Sequence, residues 1–175
     1  IVALDEVKKV KFDQVLDQLD PSLCMVKIGS VSFNSLGREV VIEAANKGFD
    51  VFLDLKLHDI PNTVRRSVKS LACLPIKMLT VHISGGEDMM KAAMEGVLEK
   101  DIKVFGVTVL TSLSDNDANE IFKRTTSEQV KKMLDLAESA GIDGVVCSPH
   151  ELRFVSKRKS LLSITPGIRV HNSND

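Results

Sequence analysis

The sequence predicts an α/β protein of the (β/α)8 TIM-barrel type, and three observations carry the prediction. Short apolar runs rich in Val, Ile and Leu alternate with longer segments of helical period. The runs are continuous rather than alternating, as in parallel strands covered on both faces. Polar residues recur at the C-terminal ends of nearly every run: Asp5, Lys27, Asp54 and Lys56, His82, Thr111, Ser148 and Arg169. A ring of functional groups at the strand ends is how a β/α barrel presents an active site. An open doubly wound sheet shares the alternation, but its G-x-G-x-x-G fingerprint is replaced after the first run by Asp5-Glu6-Val7.

In chain order, the first strand is Ile1–Leu4 and the second Leu23–Ile28. An amphipathic helix over Ser35–Lys47 follows, stopped by Gly48, where a glycine after the last turn favours termination. The third strand, Val51–Leu55, leads to a helix over Val64–Leu71, and the fourth, Met78–His82, to a helix over Gly86–Leu98. The fifth strand is Val104–Leu110, and the helix Ser127–Ala140 ends at Gly141. Gly144–Cys147, a helix over Pro149–Ser156 and Leu161–Thr165 complete seven strands. One domain is expected over residues 1–175. A full barrel takes about 200 residues or more, so the eighth β/α unit is expected beyond Asp175.

With 23 basic and 24 acidic residues, the net charge of -1 points to neither a nucleic-acid nor a membrane partner. Any basic site is then local and built for a small anion. No apolar run approaches the roughly 20 residues that span a bilayer. Ile1–Asp5 lacks the regions of a signal peptide and begins inside a strand, so the natural start is expected upstream. Cys24, Cys73 and Cys147 lie far apart and read as reduced thiols of a cytoplasmic protein. His58, His82, His150 and His171 show no metal-ligand spacing, so no metal is expected. Met89 and Met90 read as core, and Lys157-Arg158-Lys159 as a solvated helix end.

The densest polar cluster is Asp54–Thr63. Alternate strand residues point the same way, which places Asp54 and Lys56 on one face, and in a barrel that face is the interior at its mouth. Opposite charges there are costly to desolvate unless something uses them. A lone Asp-x-Lys also reads as a structural ion pair capping the core. Lys27, ending the second strand, weighs against that by adding a second ammonium. A fixed ammonium over a reacting carbon can stabilise a carbanion and then protonate it, chemistry suited to decarboxylation or proton transfer.

Asp54–Thr63 reads D-L-K-L-H-D-I-P-N-T, which resembles the signature of bacterial orotidine 5'-monophosphate decarboxylases. Further motifs match in the family's order: Val2–Asp5, Val26–Gly29, Val81–Gly86, Val107–Ser112, Asp143–Ser148 and Thr165–Arg169. The resemblance implies conversion of orotidine 5'-monophosphate to UMP and CO2 in pyrimidine biosynthesis, without a cofactor. It implies that Lys56 protonates C6, that Asp54 sits beside the substrate carboxylate, and that Lys27 completes the charge array and contacts the ribose region. It makes Asp59 a member of a Lys-Asp-Lys-Asp tetrad reaching across a homodimer interface. Thr63, also from the partner, and Asp5 would bind ribose hydroxyls, Thr111 the pyrimidine edge, and Arg169 would lie in a loop closing over the phosphate. The family's phosphate-binding glutamine and Gly-Arg pair would fall beyond Asp175. Two rivals stand beside this reading. Mg2+-dependent sugar-phosphate decarboxylases and aldolases of the same superfamily share Asp-x-Lys-x-x-Asp but carry a glutamate where this chain has Lys27. The other rival is a non-catalytic truncated barrel.

Overall fold

In the computed structural model, which describes residues 1–167, seven strands form one sheet in the order of the chain, every neighbouring pair parallel. They are β1 (Val2–Leu4), β2 (Val26–Gly29), β3 (Val51–Leu57), β4 (Met78–His82), β5 (Lys103–Val107), β6 (Gly144–Val146) and β7 (Leu162–Ile164). Parallel neighbours need a crossover between them, and helices supply it. These are α1 (Lys9–Leu16), α2 (Ser30–Leu36), α3 (Glu39–Asn46), α4 (Pro61–Leu71), α5 (Glu87–Gly96), α6 (Asp115–Phe122), α7 (Thr126–Ala140) and α8 (Leu152–Val155). This is the β/α-barrel plan through its seventh strand.

The sheet divides the core in two. Val51 and Leu53 of β3 face outward into a large cluster that takes in Phe12 of α1, Val40 and Val41 of α3, Val64 and Val68 of α4, Met89 and Met90 of α5, and Met133 and Leu134 of α7. Phe52, between them, faces the other way and joins Met78 of β4 and Phe105 of β5 in a separate cluster. Met25, Val146 and Ile164 pack on that second cluster, so residues flanking β2 and on β7 meet the same three side chains. Only a sheet that curls on itself brings strands so far apart in order together.

All seven predicted strands are present, and α3 and α7 end before Gly48 and Gly141 as expected. The helices differ in three places. The single helix expected over Ser35–Lys47 is two, because Gly37 takes φ +82 and breaks the ladder between α2 and α3. Helix α1 carries few apolar residues, burying only Phe12 and Leu16, and its periodicity is faint. Helix α6 buries only Ala118, and its start is set by a capping box in which Ser114 and Asp117 satisfy each other's backbone N–H.

Candidate active site

Strand β3 departs from regular pairing where the charges lie. Leu53 pairs with Leu79 and Leu57 with Val81, so β3 uses four residues where β4 advances two. The surplus is a bulge over residues 54–56, and Lys56 within it adopts φ +50. A left-handed backbone at a non-glycine residue costs about 1–3 kcal/mol and persists only where its surroundings impose it. Here the Lys56 N–H donates to Thr80 Oγ1 at 2.9 Å, which ties the bulge to the middle of β4.

The pairing of Asp54 with Lys56 expected from strand alternation is present, although the bulge, not regular alternation, delivers it. Lys56 Nζ donates to Asp54 Oδ2 at 2.8 Å, and Lys27 Nζ lies 3.6 Å from the same oxygen. The other oxygen, Asp54 Oδ1, accepts from the Thr80 hydroxyl at 2.9 Å. Asp54 is buried and Thr80 fully so. On its far side Lys27 Nζ reaches Asp5 Oδ1 at 3.4 Å, just past β1. Gly29, ending β2, leaves the room for this: a Cβ there would stand 2.9 Å from Asp5 Oδ1 and 3.2 Å from Lys27 Nζ. The four groups thus form a chain, Asp5–Lys27–Asp54–Lys56, across three adjacent strand ends.

A cavity of about 280 Å³ opens over this chain. Lys27, Asp54, Lys56 and Thr111 give it polar groups, while Phe52, Val107, Val146 and Ile164 line it with apolar surface. An apolar cavity with a few convergent polar groups is the form of a small-molecule site. A second cavity, about 470 Å³, shares Val109, Leu110, Thr111 and Pro166 with the first and extends over Ser148, His150 and Glu151. Burial raises the Glu151 carboxyl, opposed by the Ser148 N–H and the Thr108 hydroxyl. Burial, with the Glu151 charge, pushes the Cys147 thiol up to about 11. His82 ends β4 with its ring 5.4 Å from that of His58. Burial first, then the His58 and Lys56 charges, hold it below the ordinary imidazole range, against the pull of Asp54.

Of the residues singled out from sequence, Lys27, Asp54, Lys56, Asp5 and Thr111 converge here. Asp59 lies at the exposed approach to α4, its Oδ1 accepting the Ile60 N–H at 2.6 Å. Thr63, on α4, borders a separate groove with Arg38 and Arg66. Arg169 lies outside the described residues. Sequence reasoning passed over Thr80 and Gly29. The signal for Thr80 was a hydroxyl alone within an otherwise apolar Met78-Leu79-Thr80-Val81 run, and for Gly29 a glycine directly after a charged strand end.

The model described as Orotidine 5'-phosphate decarboxylase / HUMPS family matches residues 1–175. The orotidine 5'-phosphate decarboxylase of Saccharophagus degradans is 47% identical over 174 residues, spanning 97% of this chain and 73% of that protein. The one of Actinobacillus succinogenes is 47% identical over 178 residues, spanning 97% and 75%. Among solved structures, orotidine 5'-phosphate decarboxylase from Lactobacillus acidophilus superposes with a TM-score of 0.88 at 38% identity, over 96% of this chain and 80% of that one. A Methanocaldococcus jannaschii orotidine 5'-monophosphate decarboxylase, complexed with inhibitor BMP, superposes at 0.81 over 98% and 78%, and at 23% identity attests the fold alone. A family model matched from end to end, and relatives near half identity over most of the chain, place it: it belongs to the orotidine 5'-phosphate decarboxylase / HUMPS family.

Proposed function

We propose that the protein decarboxylates orotidine 5'-monophosphate to UMP and CO2 without a cofactor, with Lys56 as the proton donor. The observation that carries this reading is the buried Asp54 carboxylate holding the Lys56 ammonium at 2.8 Å and the Lys27 ammonium at 3.6 Å at the mouth of a largely apolar cavity. In the reaction the C6–carboxylate bond breaks and its electron pair stays on C6 as CO2 departs. The Lys56 ammonium then gives one proton to C6, and the resulting amine takes a proton from water. The lone pair left at C6 lies in the ring plane, orthogonal to the ring's π-system, and cannot delocalise into it, and reactions this slow demand barrier reductions of roughly 20 kcal/mol or more. Charges fixed before the reaction stabilise the carbanion without reorganising, which is the largest contribution a protein makes to such a step. Asp54 contributes by fixing both ammoniums, and Thr111 by facing the ring edge.

The same reading makes the enzyme a cytoplasmic homodimer in which Asp59 and Thr63 complete the partner's site, consistent with an exposed Asp59 and a half-buried Thr63 that both lie away from the charges of their own chain. Lys27 favours it over the Mg2+-dependent sugar-phosphate enzymes, because an ammonium in that position would repel a divalent cation. The test is the absorbance change of orotidine 5'-monophosphate on mixing with the protein in EDTA. Turnover in EDTA that is lost in a folded Lys56→Ala variant is the expected result. Turnover that requires added Mg2+, or that survives in Lys56→Ala, refutes the mechanism.

A further inference from the structure

We infer that Thr80 is a positioning residue for the decarboxylation proposed above, its hydroxyl setting both the orientation of the Asp54 carboxylate and the backbone conformation that aims Lys56. The inference rests on that reading for its readout and on the following geometry for its substance.

A hydroxyl has one proton to give and lone pairs with which to accept. The Thr80 Oγ1 gives its proton to Asp54 Oδ1 at 2.9 Å and accepts the Lys56 N–H at 2.9 Å. Both partners belong to the bulge of β3, and Thr80 is the residue of β4 directly opposite it, between Leu79 and Val81. One fully buried atom therefore fixes the two ends of the Asp-Leu-Lys segment. With Oδ1 occupied, the carboxylate can present only Oδ2 to the cavity, and Oδ2 is the oxygen that both ammoniums share. Rotation of the carboxylate about Cβ–Cγ would exchange the two oxygens, and the Thr80 hydrogen bond opposes it. A residue with φ +50 prefers to relax to an ordinary β conformation. Here relaxation would strip the part-buried Lys56 N–H of the acceptor it has in the fold, an outcome that donors away from water avoid.

A purely structural role for Thr80 and a positioning role differ in what they move. The first lowers stability; the second lowers the rate of the chemical step while leaving substrate affinity alone, because the Thr80 hydroxyl faces Asp54 and Lys56, not the cavity. Thr80→Val keeps the shape and removes both hydrogen bonds. Thr80→Ser keeps the hydroxyl and removes only a methyl group. The experiment is steady-state turnover of orotidine 5'-monophosphate by the parent, Thr80→Val and Thr80→Ser, each checked for folding by circular dichroism and thermal melting. The expected result is a 10- to 100-fold fall in kcat with KM within about threefold for Thr80→Val, and kcat within about threefold of the parent for Thr80→Ser. If Thr80→Val does not fold, Thr80→Ala, which leaves space rather than a second methyl group, takes its place in the same comparison. A folded Val or Ala variant with unchanged kcat overturns the inference. So does a Ser variant as impaired as Val, or a loss confined to KM. Failure of the underlying reading looks different: the parent protein itself then does not turn over orotidine 5'-monophosphate in EDTA.

Discussion

Replacing Asp54 by asparagine conserves volume and leaves an oxygen to accept the Thr80 hydrogen bond, but removes the charge that two ammoniums share. Unit charges 2.8 and 3.6 Å apart attract by about 6 and about 5 kcal/mol at an effective dielectric of about 20. Those gross figures are offset by the hydration each group surrenders. The Asp54 side chain keeps 11% of its exposure and Lys27 22%, whereas Lys56 keeps 38% and is screened more. Removing one partner from a buried ion pair costs about 3–5 kcal/mol, and the exposure of Lys56 places the expectation at the lower end, about 3 kcal/mol. For a chain of 175 residues each kcal/mol moves Tm by about 2–4 °C, so Asp54→Asn should melt about 6–12 °C below the parent. Thermal unfolding followed by circular dichroism measures this directly. A second measurement isolates the cause: in a Lys56→Met background the same substitution should cost distinctly less, because one of the two ammoniums is gone. An Asp54→Asn protein that melts at or above the parent temperature would show that the carboxylate is held against its own stability. The cost of desolvating the carboxylate would then exceed its attraction to the two ammoniums.

Other consequences can be measured on the same protein. Gly29 is the N-cap of α2, and Gly29→Ala also adds a methyl group against the side-chain ends of Asp5 and Lys27, not against backbone, so the fold should survive with a cost of about 1 kcal/mol; KM should rise several-fold, and unchanged kinetics would mean that the Asp5–Lys27 pair is not part of the site. Thiol reagents at pH 8 should label exposed Cys73 quickly and buried Cys147 only on unfolding, and rapid labelling of Cys147 in the native protein would contradict its placement. Because the Cys147 thiol is raised from about 9 to about 11 in the folded chain, the unfolded chain loses its proton first. The contribution of Cys147 to stability is therefore complete below pH 9 and fades as pH rises towards 11; a urea midpoint that falls further across that window in the parent than in Cys147→Val is the expected outcome, the lysines raised by their carboxylate partners adding the same loss to both. On the proposal of a site shared between two copies, mixing Asp59→Ala with Lys56→Ala should restore part of the activity that each lacks, since a heterodimer would regain one intact site, and no recovery with heterodimers verified would refute a shared site.

The strands and the central charges were legible because each leaves a local mark. A buried parallel strand must be a continuous apolar run, and a charge closing such a run has few reasons to be there. What escaped notice depends on partners distant in sequence. The bulge at residues 54–56 exists because Thr80, some 26 positions from Asp54, offers one hydroxyl to two groups, and alternation read along β3 alone cannot register an inserted pair of residues. Gly29 matters through Asp5, a residue of another strand end. The break at Gly37 was visible as a glycine, but the apolar pattern runs through it from Phe33 to Val41 and disguises two helices as one. Asp59 and Thr63 were named by resemblance, and nothing in the local chemistry of one chain calls them to the charges.

The separation of the core into two clusters has a further consequence for how such a protein can change. Among the described residues, the large cluster between sheet and helices holds most of the buried apolar side chains, while the small one on the other face of the sheet has Phe52, Met78 and Phe105 as its buried members. Those three are apolar surface packed together, and Phe52 is also a wall of the cavity that holds Lys27, Asp54 and Lys56. Helix faces can therefore be repacked for heat or cold with little effect on the electrostatics of the site. A change at Phe52 has no such independence, since it alters the support of the barrel, the shape of the cavity and the local dielectric together.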